Sequence, residues 1–205
     1  MIEEFFNEPD NVEIIRDQIG AILALELDNQ YKMAKERNDA AARDYKVGVY
    51  VENDDPLQYL NEGANPFPLV NISLDSATPE GGSSKINRRN MEAEFSLNVY
   101  AVGNCDSGED AQTRASLKAW KTARLVRNVL NAERYTYLGL RGIVGSRELE
   151  SFRSGMPANN KSAIRVRIVQ ITLKVNYAED VSVTDGEELA VIQVEVKNEN
   201  GLVVA

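Results

Sequence analysis

Glu92 with Glu94, and Glu148 with Glu150, are the pairs whose type and spacing come nearest to a catalytic device. Two apart on a strand, two carboxylates share one face, where they can serve as acid and base or hold a cation. The same spacing also makes the wet side of a sheet, which is the commoner outcome. Asp54-Asp55 stands before Pro56 without calcium-loop spacing, and it caps a turn as readily as it binds a cation. Gly81-Gly-Ser-Ser-Lys85 brings glycines to a lysine. A phosphate loop needs Gly-x4-Gly-Lys-Ser/Thr between a strand and a helix, and here the order differs and a strand follows. Cys105 is followed by acids at 106, 109 and 110, which disfavour a reactive thiolate. As the one cysteine it supports neither an internal disulfide nor a cysteine cluster. The chain has no histidine, which excludes Ser-His-Asp triads, Cys-His pairs and His-ligated zinc. Trp120 beside Lys121 has the makings of a base-stacking platform, but the aromatics do not interleave with Arg and Lys on strands, and a core or interface anchor is the better reading. No catalytic residue, metal ligand or cofactor is assigned.

These residues sit on a regular series of elements. Asp10-Asn-Val-Glu13 has the N-cap-x-x-Glu pattern, and Val12, Ile15, Ile19, Ile22 and Leu23 follow at three- and four-residue steps. The spacing predicts a helix from Asp10, with helical composition running on to about Ala42, weakened by Gly20. Val47, Val49 and Val51 alternate as a short strand. Leu69–Leu74 and Met91–Val102 predict a hairpin with a long basic tip, the second strand burying Met91, Ala93, Phe95, Leu97, Val99 and Ala101. A second helix is predicted over about Glu109–Asn131. Its basic stripe is Arg114, Lys118, Lys121, Arg124 and Arg127, at steps of four and three that drift around the axis.

Two more strands are expected near Leu140–Phe152 and Ala163–Tyr177. In the last, the apolar positions change phase. Ile164, Val166 and Ile168 are even, and Val169, Ile171, Leu173, Val175 and Tyr177 are odd. Either a bulge inserts a residue at Ile168–Val169, or the two halves bury against different neighbours. Val181–Glu188 is acidic and turn-rich. Ile192, Val194 and Val196 then alternate before Asn200-Gly201, a hairpin signal. The expected class is α+β, a mostly antiparallel sheet flanked by helices, with a core over residues 1–178 and an acidic linker plus β-hairpin extension over 179–205.

The 205 residues carry a net charge of −9, unevenly spread. Residues 1–84 hold −11, residues 85–174 hold +8 and residues 175–205 hold −6. A basic middle between acidic ends suits nucleic acid, or the acidic surfaces of sibling subunits, or three separately solvated faces. The acidic total argues against a free-standing duplex-DNA binder. The acidic start is unlike a secretory signal, and Ala21–Leu27 is far too short to span a bilayer, so an intracellular, reduced protein is expected.

The order of elements, with the opening helix Asn11–Asp28, the strand pair 69–74 and 91–102, the helix Ala111–Asn131 and the closing strand Ile164–Tyr177, resembles the tail-terminator (tail-completion) proteins of tailed bacteriophages. The resemblance covers residues 10–178 and has no diagnostic motif. It implies a non-enzymatic protein that forms a homohexameric ring on the head-proximal end of the tail tube, stops tube growth and meets the neck or connector. In a contractile tail it implies contact with the sheath. It implies assembly in the host cytoplasm, a place in the tail or neck of the virion, DNA passing through the lumen without specific binding, and no membrane partner. On that footing Lys85, Arg88 and Arg89 face the tube or lumen, and the basic stripe forms a subunit interface. Ile192, Val194 and Val196 then add a strand to a neighbour. Another head-completion or connector protein, a nucleic-acid-binding module through the basic stripe, and an enzyme built on a carboxylate pair are the competing readings.

Overall fold

The computed structural model describes residues 9–40, 42–58, 67–80, 88–103, 110–155 and 165–180. Helix α1 (Asn11–Glu36) begins where expected, and the Glu13 carboxylate accepts from the Asp10 backbone N–H at 3.2 Å. It buries Val12, Ile15, Ile19, Ile22, Leu23 and Leu27, the three- and four-residue steps seen in the sequence. It stops at Glu36, short of Ala42, because Asn38 takes a left-handed conformation (φ 53°) that the helix cannot continue through. A separate 3₁₀ turn, Ala42–Tyr45, follows. Gly20 is a packing requirement: a Cβ there would lie 2.9 Å from Val51 Cγ2.

Strands β1 (Gly48–Val51), β2 (Leu69–Pro79), β3 (Arg88–Gly103), β4 (Val144–Gly155) and β5 (Arg165–Asp180) form one sheet in the order β1-β2-β3-β5-β4. Only β1–β2 is parallel, so the fold is the expected α+β class with a mostly antiparallel sheet. The β2–β3 hairpin is longer than expected. Its register shifts between Leu74 and Ser76, and that bulge carries pairing on to Pro79–Met91. Helix α2 (Ala111–Asn131) starts on Asp110, whose Oδ1 accepts from the Gln112 backbone N–H at 3.2 Å.

Both helices lie on the same face of the sheet. One cluster joins α1 and α2 to Val70 and Ile72 of β2, the odd residues Met91–Ala101 of β3 and Val169–Tyr177 of β5. Each large side chain fully buried there, such as Phe95, Ile171 or Leu173, contributes roughly 1.5–3 kcal/mol. Among the described residues no helix covers the opposite face, which shows Glu92, Glu94, Asn98 and Tyr100 partly to solvent. Among the described residues the flanking is therefore one-sided.

The phase change in the last strand is not a bulge. β5 pairs with β3 without interruption from Arg165↔Gly103 to Asp180↔Arg88, and the register shifts on its other side belong to β4. Val169 and the odd residues after it face the helices, while Val166 and Ile168 face the other way beside Val102 and Tyr100. The two halves bury against different neighbours. β5 runs two residues past Ala178, and residues 181–205, with the expected hairpin extension, lie outside the described residues.

Candidate functional site

The carboxylate pairs come first. Lys174 stands between two of them, with its Nζ 3.1 Å from Glu150 Oε1 and 3.8 Å from Glu92 Oε1. The hydrogen bond it donates to Glu150 holds its ammonium pKa above the ordinary lysine value, with Glu92 and Glu94 adding to it. Lys174 thus ties exposed acids of β3 and β4 together on the solvent-facing side of the sheet. Asp55 caps a turn: its Oδ1 accepts from the Leu57 backbone N–H at 3.2 Å. Among the described residues no group of three or more acidic, cysteine or histidine side chains is placed to hold a metal. Cys105 and Lys85 lie outside the described residues, as does the side chain of Arg88. Arg89 is exposed near the start of β3, opposite Glu179 of β5.

The same wet face carries a polar network across three strands. The β2 bulge frees Asp75 from pairing, and its carboxylate accepts from the Ser96 hydroxyl of β3. Ser96 in turn accepts from Gln170 Nε2 of β5 at 2.8 Å. Asn71 makes a two-way bond with the Asn53 backbone, at 3.0 and 3.1 Å, and so pins the segment after β1. These bonds tie strands together.

The other face ends in a groove. A helix is about 10 Å across and strands are about 4.8 Å apart, so one helix covers about two strands. α1 lies over β1 and β2, and α2 over β3 and β5. Edge strand β4 is left over, and between it and α2 opens a groove of about 710 Å³. Leu117, Trp120, Lys121, Ala123, Arg124 and Arg127 of α2 and Phe152 of β4 line it. Phe152 pairs with Ile171 and therefore sits on the helix-covered face. Three apolar side chains here are open to solvent: Leu117 at 67%, Trp120 at 44% and Phe152 at 37%. Trp120 is thus no core residue, and its interface-anchor and base-stacking readings both rest on the exposed ring.

The basic stripe divides around α2. Arg124 and Arg127 are exposed along the groove, and the Arg127 guanidinium lies 5.8 Å from the Phe152 ring centroid. Lys121 reaches to the far flank, 3.5 Å from Asp44 and 4.1 Å from the Tyr45 ring centroid. Lys118 lines a second cleft, with Tyr31, Arg43 and Asp44. Arg114 is half-buried nearer the start of α2. The five residues are therefore not one continuous strip: the structure brings Arg124 and Arg127 together along the groove and turns the Lys121 ammonium to Asp44 and Tyr45.

Sequence reasoning missed Leu117 and Phe152. Leu117 carried a signal, since it falls outside the buried row Ala115, Ala119, Ala123, Val126. Phe152 carried none, because its place depends on the β4–β5 register, which shifts between Leu149 and Ser151.

Below the groove, Arg147 of β4 closes the end of α2. Its Nε donates to the Tyr135 carbonyl at 2.6 Å and its Nη2 to the Ala132 carbonyl at 3.1 Å. Burial lowers the Arg147 pKa from its ordinary value. The Tyr135 hydroxyl donates to Glu26 of α1 at 2.5 Å and accepts from Arg134.

Over the described residues, the fold and this surface define a two-layer α+β protein with an apolar-basic groove. No family model matches the chain, and no curated protein matches it. Among solved structures it is similar to a chain in one titled "Virion of native gene transfer agent (GTA) particle". That likeness has 13% identity and a TM-score of 0.39, over 73% of this chain and 92% of that one. No described helix is long and apolar enough to cross a membrane.

Proposed function

We propose that this protein is a virion structural component of the tail-terminator kind, a ring-forming subunit that closes the head-proximal end of a tail tube and presents a surface to the neck. The observation that carries the reading is the asymmetry of its surface. Leu117, Trp120 and Phe152 stand exposed beside Arg124 and Arg127, while the acidic charge of the same chain is concentrated in residues 1–84 and 175–205. A surface of one chemistry with its complement elsewhere on the same chain favours head-to-tail contacts, and such contacts give rings where the rotation between subunits closes. The order of elements supports the same reading, and the bonded wet face asks for no reactive centre.

The partners follow from the ring: other copies of this chain, the tube protein, a neck or connector protein and, in a contractile tail, the sheath. DNA passes through the lumen without specific binding. Sedimentation at low salt tests the first step, with a closed hexamer expected at roughly six times the 22.8 kDa chain mass. Negative-stain imaging with purified tail tubes tests the second, with density expected at one tube end. Persistence as a monomer both alone and with tubes removes the reading.

A further inference from the structure

We propose that the groove between α2 and β4 is the receptor for residues 181–205 of a second copy of this chain, taken up as an added strand on β4. The inference rests on the ring reading and specifies its contact.

The receptor has three matched parts. β4 ends the sheet and pairs only with β5 among the described strands, and among those strands its outer edge has no partner, which is the side another strand would take. Its register is irregular at Val144–Ser146 and Leu149–Ser151, but Ser151–Gly155 pairs without a shift, and that regular stretch contains Phe152. Leu117, Trp120 and Phe152 offer an apolar wall above that edge, and Arg124 and Arg127 offer positive charge along its rim.

The donor segment has the complementary pattern. Ile192, Val194 and Val196 alternate on one side of an extended chain. Asp185, Glu187, Glu188, Glu195 and Glu199 outnumber Lys197, the one basic residue of 181–205. One side of such a strand fills the apolar wall and its acids meet the arginine rim.

The geometry points to a neighbour rather than to the chain's own tail. β5 ends at Asp180, beyond Tyr177, which pairs with the first residue of β4, whereas Phe152 pairs with Ile171. Asp180 is nine residues from Ile171, about 30 Å along the strand at roughly 3.3 Å per residue. A chain leaving β5 moves away from its own groove. To return it must reverse, cross the start of β4 and lie parallel to it, the less stable pairing. A neighbour's segment can enter from outside and lie antiparallel.

Trp120 is the one tryptophan of the chain, so its emission reports the groove alone. The experiment mixes two full-length variants. The acceptor carries Ile192→Asp, Val194→Asp and Val196→Asp and keeps Trp120. The donor carries Trp120→Phe with an intact tail. Circular dichroism checks that both are folded. Titrating donor into acceptor is expected to shift Trp120 emission to the blue and to saturate. The midpoint should move at least tenfold to higher donor concentration when Arg124→Glu and Arg127→Glu are added to the acceptor, and likewise when salt is raised. An unchanged Trp120 spectrum across the titration overturns the proposal. Sedimentation of the unmodified chain in the same buffers separates the two readings. Rings without the Trp120 shift overturn tail docking and leave the ring standing, whereas no association of any kind overturns both.

Discussion

The Arg127 guanidinium stands 5.8 Å from the centroid of the Phe152 ring, joining α2 to the edge strand β4. Both side chains are open to solvent, so the contact does little for the fold and much for what can dock there. Arg127→Glu is expected to change unfolding free energy by less than about 0.5 kcal/mol in urea titrations. The same variant should weaken self-association and flatten its salt dependence, as read by sedimentation at low and high ionic strength.

Gly103 closes β3 against the start of α2. A Cβ at Gly103 would lie 2.0 Å from the Ala111 carbonyl oxygen and 2.8 Å from the Ala115 backbone nitrogen. Both obstacles are backbone, so one methyl group must push the helix off the sheet. Gly103→Ala is expected to cost about 2–3 kcal/mol, a fall in Tm on the order of 5–10 °C by calorimetry.

Arg147 satisfies two carbonyls at the end of α2. Arg147→Met keeps the apolar stem and removes both donors. The expected loss is roughly 1.5–3 kcal/mol, since bonds to a charged group are the stronger kind, while each carbonyl keeps one backbone partner, the Ala132 oxygen from the Tyr135 N–H and the Tyr135 oxygen from the Leu138 N–H. Arg147→Lys should recover part of it, because one ammonium cannot span both acceptors. Chemical denaturation of the three proteins measures this.

Tyr177 makes stability depend on alkaline pH. Burial, with Glu179 and Asp10 nearby, pushes its phenol up to about 12 from the ordinary 10. The folded state therefore keeps a proton that the unfolded state releases first. This contribution is fully present below about pH 10 and is lost as pH rises through 12. The Tm is expected to fall between those values, and Tyr177→Phe should make the fall shallower. A constant slope in both proteins would assign the effect elsewhere.

What was legible beforehand was local. The three- and four-residue rhythm of Val12–Leu27 and the alternation of Met91–Ala101 each encode an element and its buried side, because side-chain direction follows backbone period without help from distant residues. The stripe on α2 was legible as composition but not as a surface. Lys121 leaves the groove rim for Asp44, 77 positions earlier in the chain, and that contact follows from α1 and α2 packing side by side.

By itself the sequence determined that this chain is an α+β protein without histidine chemistry, with an acidic–basic–acidic order of charge and a strand whose apolar phase changes at Ile168–Val169. The phase change admitted two explanations, and only strand pairing chose between them: unbroken register with β3 turns Ile168 and Val169 to opposite faces. Only the tertiary structure decided that two helices share one face, that β4 is the strand they leave uncovered, and that Phe152 lines one groove with Trp120 and stands beside Arg127. The physical reason is range. Period and composition act over a few residues, whereas strand order, register and the coverage of five strands by two helices are settled by contacts between segments far apart in the chain.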